Sequence, residues 1–84
     1  MSELNTLQNI GAEIEQKLKS AGITTAEDLI DIGSEEAFMR LKAHYPKVCL
    51  VHLYALEGAV SGVDYNKLSE STKKRLKSLS DNLK

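Results

Sequence analysis

The stretch KVCLVHLYALEGAV, residues 47–60, decides the fold of this chain. Its apolar residues fall on every side of a helix: Val48, Leu50, Val51, Leu53, Tyr54, Leu56, Ala59 and Val60. Such a helix is buried by neighbours on several sides. We therefore predict a central helix over about residues 47–60, started by Pro46, with Gly58 allowing close approach of another segment and Gly62 ending the helix.

Outside this stretch, apolar residues recur at spacings of three and four, and no segment alternates apolar and polar residues as a strand would. The expected helix starts are Leu4, the residue after Gly11, and the capping positions Thr25, Ser34 and Ser69; the expected stops are Gly11, Gly22 and Gly33. In the last helix Thr72, Leu76, Leu79 and Leu83 form one apolar stripe. We predict an all-α fold, a compact bundle of five to six short helices.

Length and composition restrict the class of protein. With 84 residues, 42% hydrophobic and 27% charged, the chain has room for a single globular domain, residues 1–84. Its longest uncharged apolar run is far shorter than the roughly 20 residues that span a bilayer. The first residues lack the pattern of a secretory signal, and a single cysteine forms no internal disulfide. We expect a cytoplasmic protein that has no contact with a membrane.

Charge is distributed unevenly along the chain. Residues 1–65 carry a net charge of −5 and residues 66–84 a net charge of +4, for a total of −1. The basic run of the last helix comprises Lys73, Lys74, Arg75 and Lys77. This run has two interpretations, a solvated helix face or a contact to phosphates or to an acidic partner. The sequence pI of about 6.1 lies well below the value above 9 expected of a dedicated nucleic-acid binder, so we expect any such contact to be weak.

The N-terminal segments LQNIG, residues 7–11, and AGI, residues 21–23, resemble a helix-hairpin-helix unit. In such a unit Ile10 plugs the turn and Gly11 turns backbone amides outward, where a helix N-terminus can bind phosphate. The commoner form carries Gly-Ile-Gly, whereas this turn reads Asn-Ile-Gly. Glu13 and Glu15 follow immediately and would repel a phosphate. Both a phosphate-binding hairpin and a purely structural one remain open.

Cysteine and histidine are the residue types that a catalytic or metal-binding site would use in this chain. Cys49 and His52 lie three residues apart and His44 lies upstream, but one cysteine and two histidines fall short of a structural zinc set. We expect Cys49 to be a small buried hydrophobe and predict no metal, cofactor or catalytic site. Glu57 lies within the apolar helix and needs solvent or a partner, either a base or a hydrogen-bond donor such as Tyr65.

Taken together, the segments quoted above resemble the C-terminal domain of the TfoX (Sxy) family of competence regulators. The residues that carry the resemblance are 7–11, Leu18, 22–29, Gly33, Glu36, Ala37, 48–50 and 53–59. The resemblance covers roughly residues 4–80 and implies a helical domain that regulates DNA uptake or transcription, without enzymatic activity. Family regulators commonly carry a separate domain ahead of this one. Here Met1 lies directly before the first helix, so we expect a stand-alone copy.

Two functional hypotheses follow. The first is a non-catalytic regulatory or adaptor module that binds a protein partner, with DNA or RNA as an auxiliary contact. The alternative is a direct, sequence-independent binder of nucleic-acid backbones through the hairpin and the basic helix. Neither requires a cofactor or a small-molecule substrate. The candidate contact residues are Asn9, Ile10, Gly11, Ala12, Lys17, Lys73, Lys74, Arg75 and Lys77.

Overall fold

The computed structural model describes residues 3–82 and confirms the all-α prediction. The order is a first 3₁₀ turn Leu4–Thr6, α1 Ala12–Ser20, α2 Ala26–Ile32, α3 Ser34–His44, α4 Leu50–Ser61, a second 3₁₀ turn Tyr65–Lys67, and α5 Glu70–Asn82. The Cα radius of gyration is 11.6 Å. No helix between residues 3 and 82 is both long and apolar enough to cross a bilayer.

Helix α4 is the central element, as predicted. It packs against α3, α5 and the second 3₁₀ turn, and its residues Leu53 and Leu56 are completely buried. The predicted start was wrong by three residues, because Pro46 lies in a turn in which the Val48 N–H donates to the Tyr45 carbonyl at 3.0 Å. Cys49 then occupies the N-cap position. The apolar stretch of residues 47–60 therefore begins in a loop, residues 47–49, and continues as helix α4.

Glycines and one threonine set most helix boundaries where the sequence placed them. Gly22, Gly33 and Gly62 all have positive φ, at 89°, 89° and 75°. The Thr25 hydroxyl accepts a hydrogen bond from the Asp28 N–H at 3.1 Å and so caps α2. Ser34 was predicted to cap α3, and this was wrong: Gly33 is the N-cap and Ser34 is the first helical residue. Its hydroxyl instead donates a hydrogen bond to Glu57 on α4.

The N-terminal segment departs from the predicted helix over residues 4–9. A single 3₁₀ turn forms over Leu4–Thr6, and in the segment that follows it the left-handed residue is Asn9, with φ of 70°, rather than Gly11, whose backbone is extended. Asparagine tolerates this conformation better than most residues. Ile10 is buried, as its role in plugging the turn requires, and Gly11 is the N-cap of α1.

Helix α5 is docked onto the body through its apolar stripe. Leu76 is completely buried and Leu79 is half-buried against the core. Leu83, which belongs to the same predicted stripe, lies outside the described residues. The last helix therefore contributes to the single hydrophobic core that also contains Leu18, Leu29 and Phe38.

Candidate functional site

The side chain of Asn9 joins the N-terminal hairpin to the end of α4. Its Nδ2 donates to the Val63 carbonyl at 3.0 Å, and its Oδ1 accepts the Tyr65 N–H at 3.2 Å. A Cβ added to Gly58 would collide with Asn9 Nδ2 and would lie 2.6 Å from the Val63 oxygen. The predicted role of Gly58 in close approach is thereby confirmed. Asn9 and the buried Ile10 hold the fold together, which leaves Gly11 and Ala12 as the exposed residues of the hairpin turn.

Carboxylates already occupy the beginning of α1. Glu13 forms an ion pair with Lys17 at 3.1 Å. Glu15 accepts the Asn5 N–H at 3.3 Å and lies 3.9 Å from Lys19 Nζ. Two acidic groups next to the Gly11 turn oppose an incoming phosphate, so the local electrostatics favour the structural interpretation of the hairpin.

The basic run of α5 is divided by the fold. Arg75 lies 3.5 Å from both Glu35 and Glu57. Lys73 is half-buried, and its carbonyl accepts the Tyr54 hydroxyl at 3.5 Å. Lys74 and Lys77 are exposed. The four residues therefore do not form one continuous basic surface.

Glu57 is a structural link between three helices, and its hydroxyl donors are Ser34 and Ser61 rather than the predicted Tyr65. Its carboxylate accepts the Ser34 hydroxyl at 2.5 Å and the Ser61 hydroxyl at 3.1 Å, and Arg75 Nη2 lies 3.5 Å away. Ser34 comes from α3, Arg75 from α5 and Glu57 from α4. The partners described for this carboxylate therefore supply both the base and the hydrogen-bond donors that a half-buried charge needs.

Cys49 and His52 cap the start of α4. The Cys49 N–H donates to His52 Nδ1 at 3.2 Å, and Cys49 Sγ lies 3.5 Å from the same nitrogen. The pKa of His52 is lowered by partial burial and then by the positive charge of Lys17, with Glu13 opposing. A neutral ring matches a nitrogen that accepts a backbone N–H. The expectation that Cys49 is buried was wrong, since Cys49 is exposed. Within residues 3–82, no three His, Cys, Asp or Glu side chains converge as metal ligands would.

Two adjoining hollows with lysines in their lining surround the loop between α3 and α4. One hollow, of about 340 Å³, is lined by Lys17, His44, Tyr45, Pro46, Lys47 and Val48. An adjoining hollow, of about 420 Å³, shares Pro46, Lys47 and Val48 and is completed by Lys42, Cys49, Leu50, Lys77, Ser80 and Asp81. We call the two together the basic cleft. Four lysines and one carboxylate line it.

Each lysine of the basic cleft comes from a different part of the chain. Lys17 lies on α1 with its Nζ 5.7 Å from the centre of the Tyr45 ring. Lys42, on α3, donates to the Val48 carbonyl at 3.1 Å. Lys47 lies in the loop and Lys77 on α5, and both are exposed. Of the predicted contact residues, Lys17 thus lines the first hollow and Lys77 lines the adjoining one.

Sequence analysis missed Lys42, His44 and Lys47 as candidate contact residues. A local signal was present, because these three residues fall within six positions around Pro46. The negative net charge of residues 1–65 obscures this local group of basic residues. The proximity of Lys17 and Lys77 to this loop carries no signal in the sequence at all.

Known proteins match this chain in both sequence and fold. A family model described as the TfoX C-terminal domain matches residues 1–79. Two crystal structures from Listeria monocytogenes, one of an uncharacterized protein in a triclinic form and one of a protein of unknown function in a tetragonal form, each share 45% identity and a TM-score of 0.95 with it. They cover 98% of this chain, which covers 93% and 100% of theirs. Among curated proteins none is a significant match.

Proposed function

The chain belongs to the TfoX C-terminal domain family, and we propose that it is a non-catalytic regulatory or adaptor module that acts by binding a protein partner. The observation that carries the proposal is the basic cleft, an open surface to which α1, α3, the following loop and α5 each contribute a lysine. Charged groups that converge from separate elements fit recognition of a ligand of opposite charge. The resemblance to the TfoX family of competence regulators supports a regulatory role for such binding.

The polar groups near the cleft fit binding better than catalysis. A thiol nucleophile needs a base that can take its proton and a third group that orients the base. His52 Nδ1 instead accepts the Cys49 backbone N–H, so the nearest ring nitrogen is used in the cap of α4. This arrangement supports a module without an enzymatic reaction of its own.

The alternative function is direct binding of nucleic-acid backbones. The specific observation in its favour is that Lys17 and Lys77 line one cleft although they lie far apart in sequence. Against it stand the carboxylates of Glu13 and Glu15 at the hairpin and the engagement of Arg75 by Glu35 and Glu57. If four lysines neutralised four phosphates, log affinity would fall with log salt at a slope of about −3.6.

Backbone-amide NMR separates the two functions. Labelled protein is titrated with duplex and single-stranded DNA at low and moderate salt. We expect no saturable shifts at residues 9–13 or 73–77. Saturable shifts at those residues, with the salt slope given above, would establish nucleic-acid binding and favour the alternative.

In-cell photo-crosslinking tests for the partner itself. A photoreactive phenylalanine analogue replaces exposed residues one at a time, including Lys47 in the cleft and Ile30 on α2, which does not line the cleft. We expect a discrete crosslinked protein from at least one position. Absence of a protein adduct from every exposed position tested would contradict the proposed function.

A further inference from the structure

We propose that the basic cleft docks an acidic peptide segment of the partner protein, with an apolar side chain inserted beside the α3–α4 loop and carboxylates held by the surrounding lysines. The inference rests on the proposed function and adds the location and the chemistry of the contact. It is supported by the apolar surface within the cleft and by the position of the lysines, and the pI of the chain disfavours a nucleic acid as the occupant.

The interior of the cleft presents apolar surface. Tyr45, Pro46 and Val48 line the first hollow, and Leu50 extends the apolar surface into the second. The Val48 carbonyl, which would otherwise make this surface more polar, already accepts a hydrogen bond from Lys42. A volume of about 340 Å³ lies near the lower end of the roughly 300–1,000 Å³ found for ligand pockets, which suits one or two side chains of a peptide.

The lysines flank this apolar surface. Lys47 and Lys77 are exposed, so their ammonium groups can reach a ligand without first leaving a buried position. Lys17 has its Nζ 5.7 Å from the Tyr45 ring centre, where it borders the first hollow. Asp81 supplies one opposing charge at the second hollow. An apolar centre with charged groups around it is the usual anatomy of a protein-binding site.

A peptide fits this site better than a nucleic acid. Nucleic-acid binders commonly spread basic groups along a surface that follows the backbone and have a pI above 9, whereas this chain has a pI of about 6.1. Glu13 lies beside Lys17, and Asp81 lies within the cleft, so a continuous row of phosphates would meet repulsion at two points. A peptide can place its few carboxylates next to lysines and apolar side chains elsewhere.

Fluorescence anisotropy with a defined peptide tests the proposal. The probe is a fluorescein-labelled twelve-residue peptide that alternates Glu and Leu, and the matched control peptide has Gln in place of every Glu. We expect saturable binding of the acidic peptide and at least about tenfold weaker binding of the control, equivalent to about 1.4 kcal/mol. Amide shifts should be confined to residues 45–50 and 77–81.

Charge-reversal variants locate the contact. Lys47→Glu and Lys77→Glu should each weaken binding of the acidic peptide by about tenfold, because a carboxylate there repels the ligand. Lys74→Glu is the matched control, since Lys74 is exposed on the same helix as Lys77 but does not line the cleft. It should change the affinity less than about twofold, which corresponds to a few tenths of a kcal/mol. Circular dichroism verifies that all three variants are folded.

The cleft proposal would be overturned by equal binding of the Glu and Gln peptides, by an equal loss from Lys74→Glu, or by tighter binding of a twelve-nucleotide single-stranded DNA than of the acidic peptide. A lack of peptide binding would overturn it as well. If photo-crosslinking still captured a protein at positions outside the cleft, the proposed function would stand while this inference failed.

Discussion

Asn9 shows how one residue in an uncommon backbone conformation can close a small fold. Its left-handed φ of 70° aims the side chain at two backbone groups beyond α4, the Val63 carbonyl and the Tyr65 N–H. Gly58 makes room for this contact, because any Cβ there would collide with it. Two residues that are 49 positions apart therefore constrain each other.

Gly58→Ala tests this constraint. The Asn9 amide could shift away from the new methyl group, but the Val63 oxygen is backbone and cannot shift alone, so we expect a loss of about 1–3 kcal/mol in the free energy of unfolding. Urea denaturation measures the change. The control is Gly11→Ser, at an exposed N-cap with extended backbone and open space, which should change stability by less than about 0.5 kcal/mol. Equal effects of the two substitutions would contradict the explanation.

His52 provides a pH-dependent prediction. Its pKa lies below the ordinary value of 6.5 because of partial burial and the nearby Lys17 ammonium. Since the folded state binds this proton less well than the unfolded state, the stability contribution is present above pH 6.5 and is lost as the pH falls through 6.5 toward the folded pKa. Lys17→Gln removes the second cause and should raise the pKa of His52 toward its ordinary value.

NMR titration of the His52 ring protons measures that pKa. Lys19→Gln is the matched control on α1, because Lys19 pairs with Glu15 and is not among the groups that shift His52. An unchanged or lower pKa in the Lys17 variant would show that the ammonium does not act on the ring.

At the scale of helices, the carboxylate of Glu57 links three of them. Glu57 on α4 accepts the hydroxyl of Ser34, which is buried at the beginning of α3, and faces Arg75 on α5. The hydroxyl contact is partly buried and short, whereas Arg75 is largely exposed. Screening by water weakens the ion pair more than the hydrogen bond, so we attribute most of the stabilisation to Ser34.

Substitutions at Glu57 should therefore be graded. Glu57→Gln keeps an acceptor for Ser34 and should lower the free energy of unfolding by less than about 1 kcal/mol, while Glu57→Ala leaves the buried hydroxyl without its partner and should lower it by about 1–3 kcal/mol. Arg75→Gln, the matched test of the exposed ion pair, should lower it by about 0–1 kcal/mol. Thermal and urea unfolding measure the order. A larger loss from Arg75→Gln than from Glu57→Ala would reverse our assignment.

At the scale of the whole molecule, stability depends on one core to which nearly every helix contributes. Globular domains have free energies of unfolding of about 5–15 kcal/mol, and small domains such as this one lie at the lower end of that range. Helix α5 takes part in that core through Leu76, which has no exposed surface. The helix with the basic run is thus structural on one side and accessible on the other.

Leu76→Ala should lower the free energy of unfolding by about 2–5 kcal/mol, because it removes a completely buried side chain and leaves a cavity. Lys74→Ala, two residues away and exposed, should change it by less than about 0.5 kcal/mol. Calorimetry measures both. Retention of full stability in the Leu76 variant would mean that α5 is not needed for the core.

The sequence by itself determined the all-α class, most helix boundaries and the identity of the central helix. Apolar spacing and backbone freedom are local properties, so residues 47–60, Gly22, Gly33 and the Thr25 cap could be interpreted without a structure. The start of α4 was misplaced because a short loop and a helix can share an apolar run. Ser34 has the residue type and the position of a helix cap, and nothing nearby in sequence points to Glu57 as its partner.

Only the tertiary structure decided which polar residues are used internally and which remain exposed. The sequence around Asn9 predicts a contact residue. Its hydrogen bonds to residues 63 and 65 depend instead on tertiary packing, which brings the N-terminal segment next to the end of α4. The basic cleft arose in the same way, since Lys17 and Lys77 meet the loop around Pro46 from opposite ends of the chain. Backbone conformation follows from neighbours in sequence, whereas the direction and the surroundings of a charged side chain follow from how helices pack.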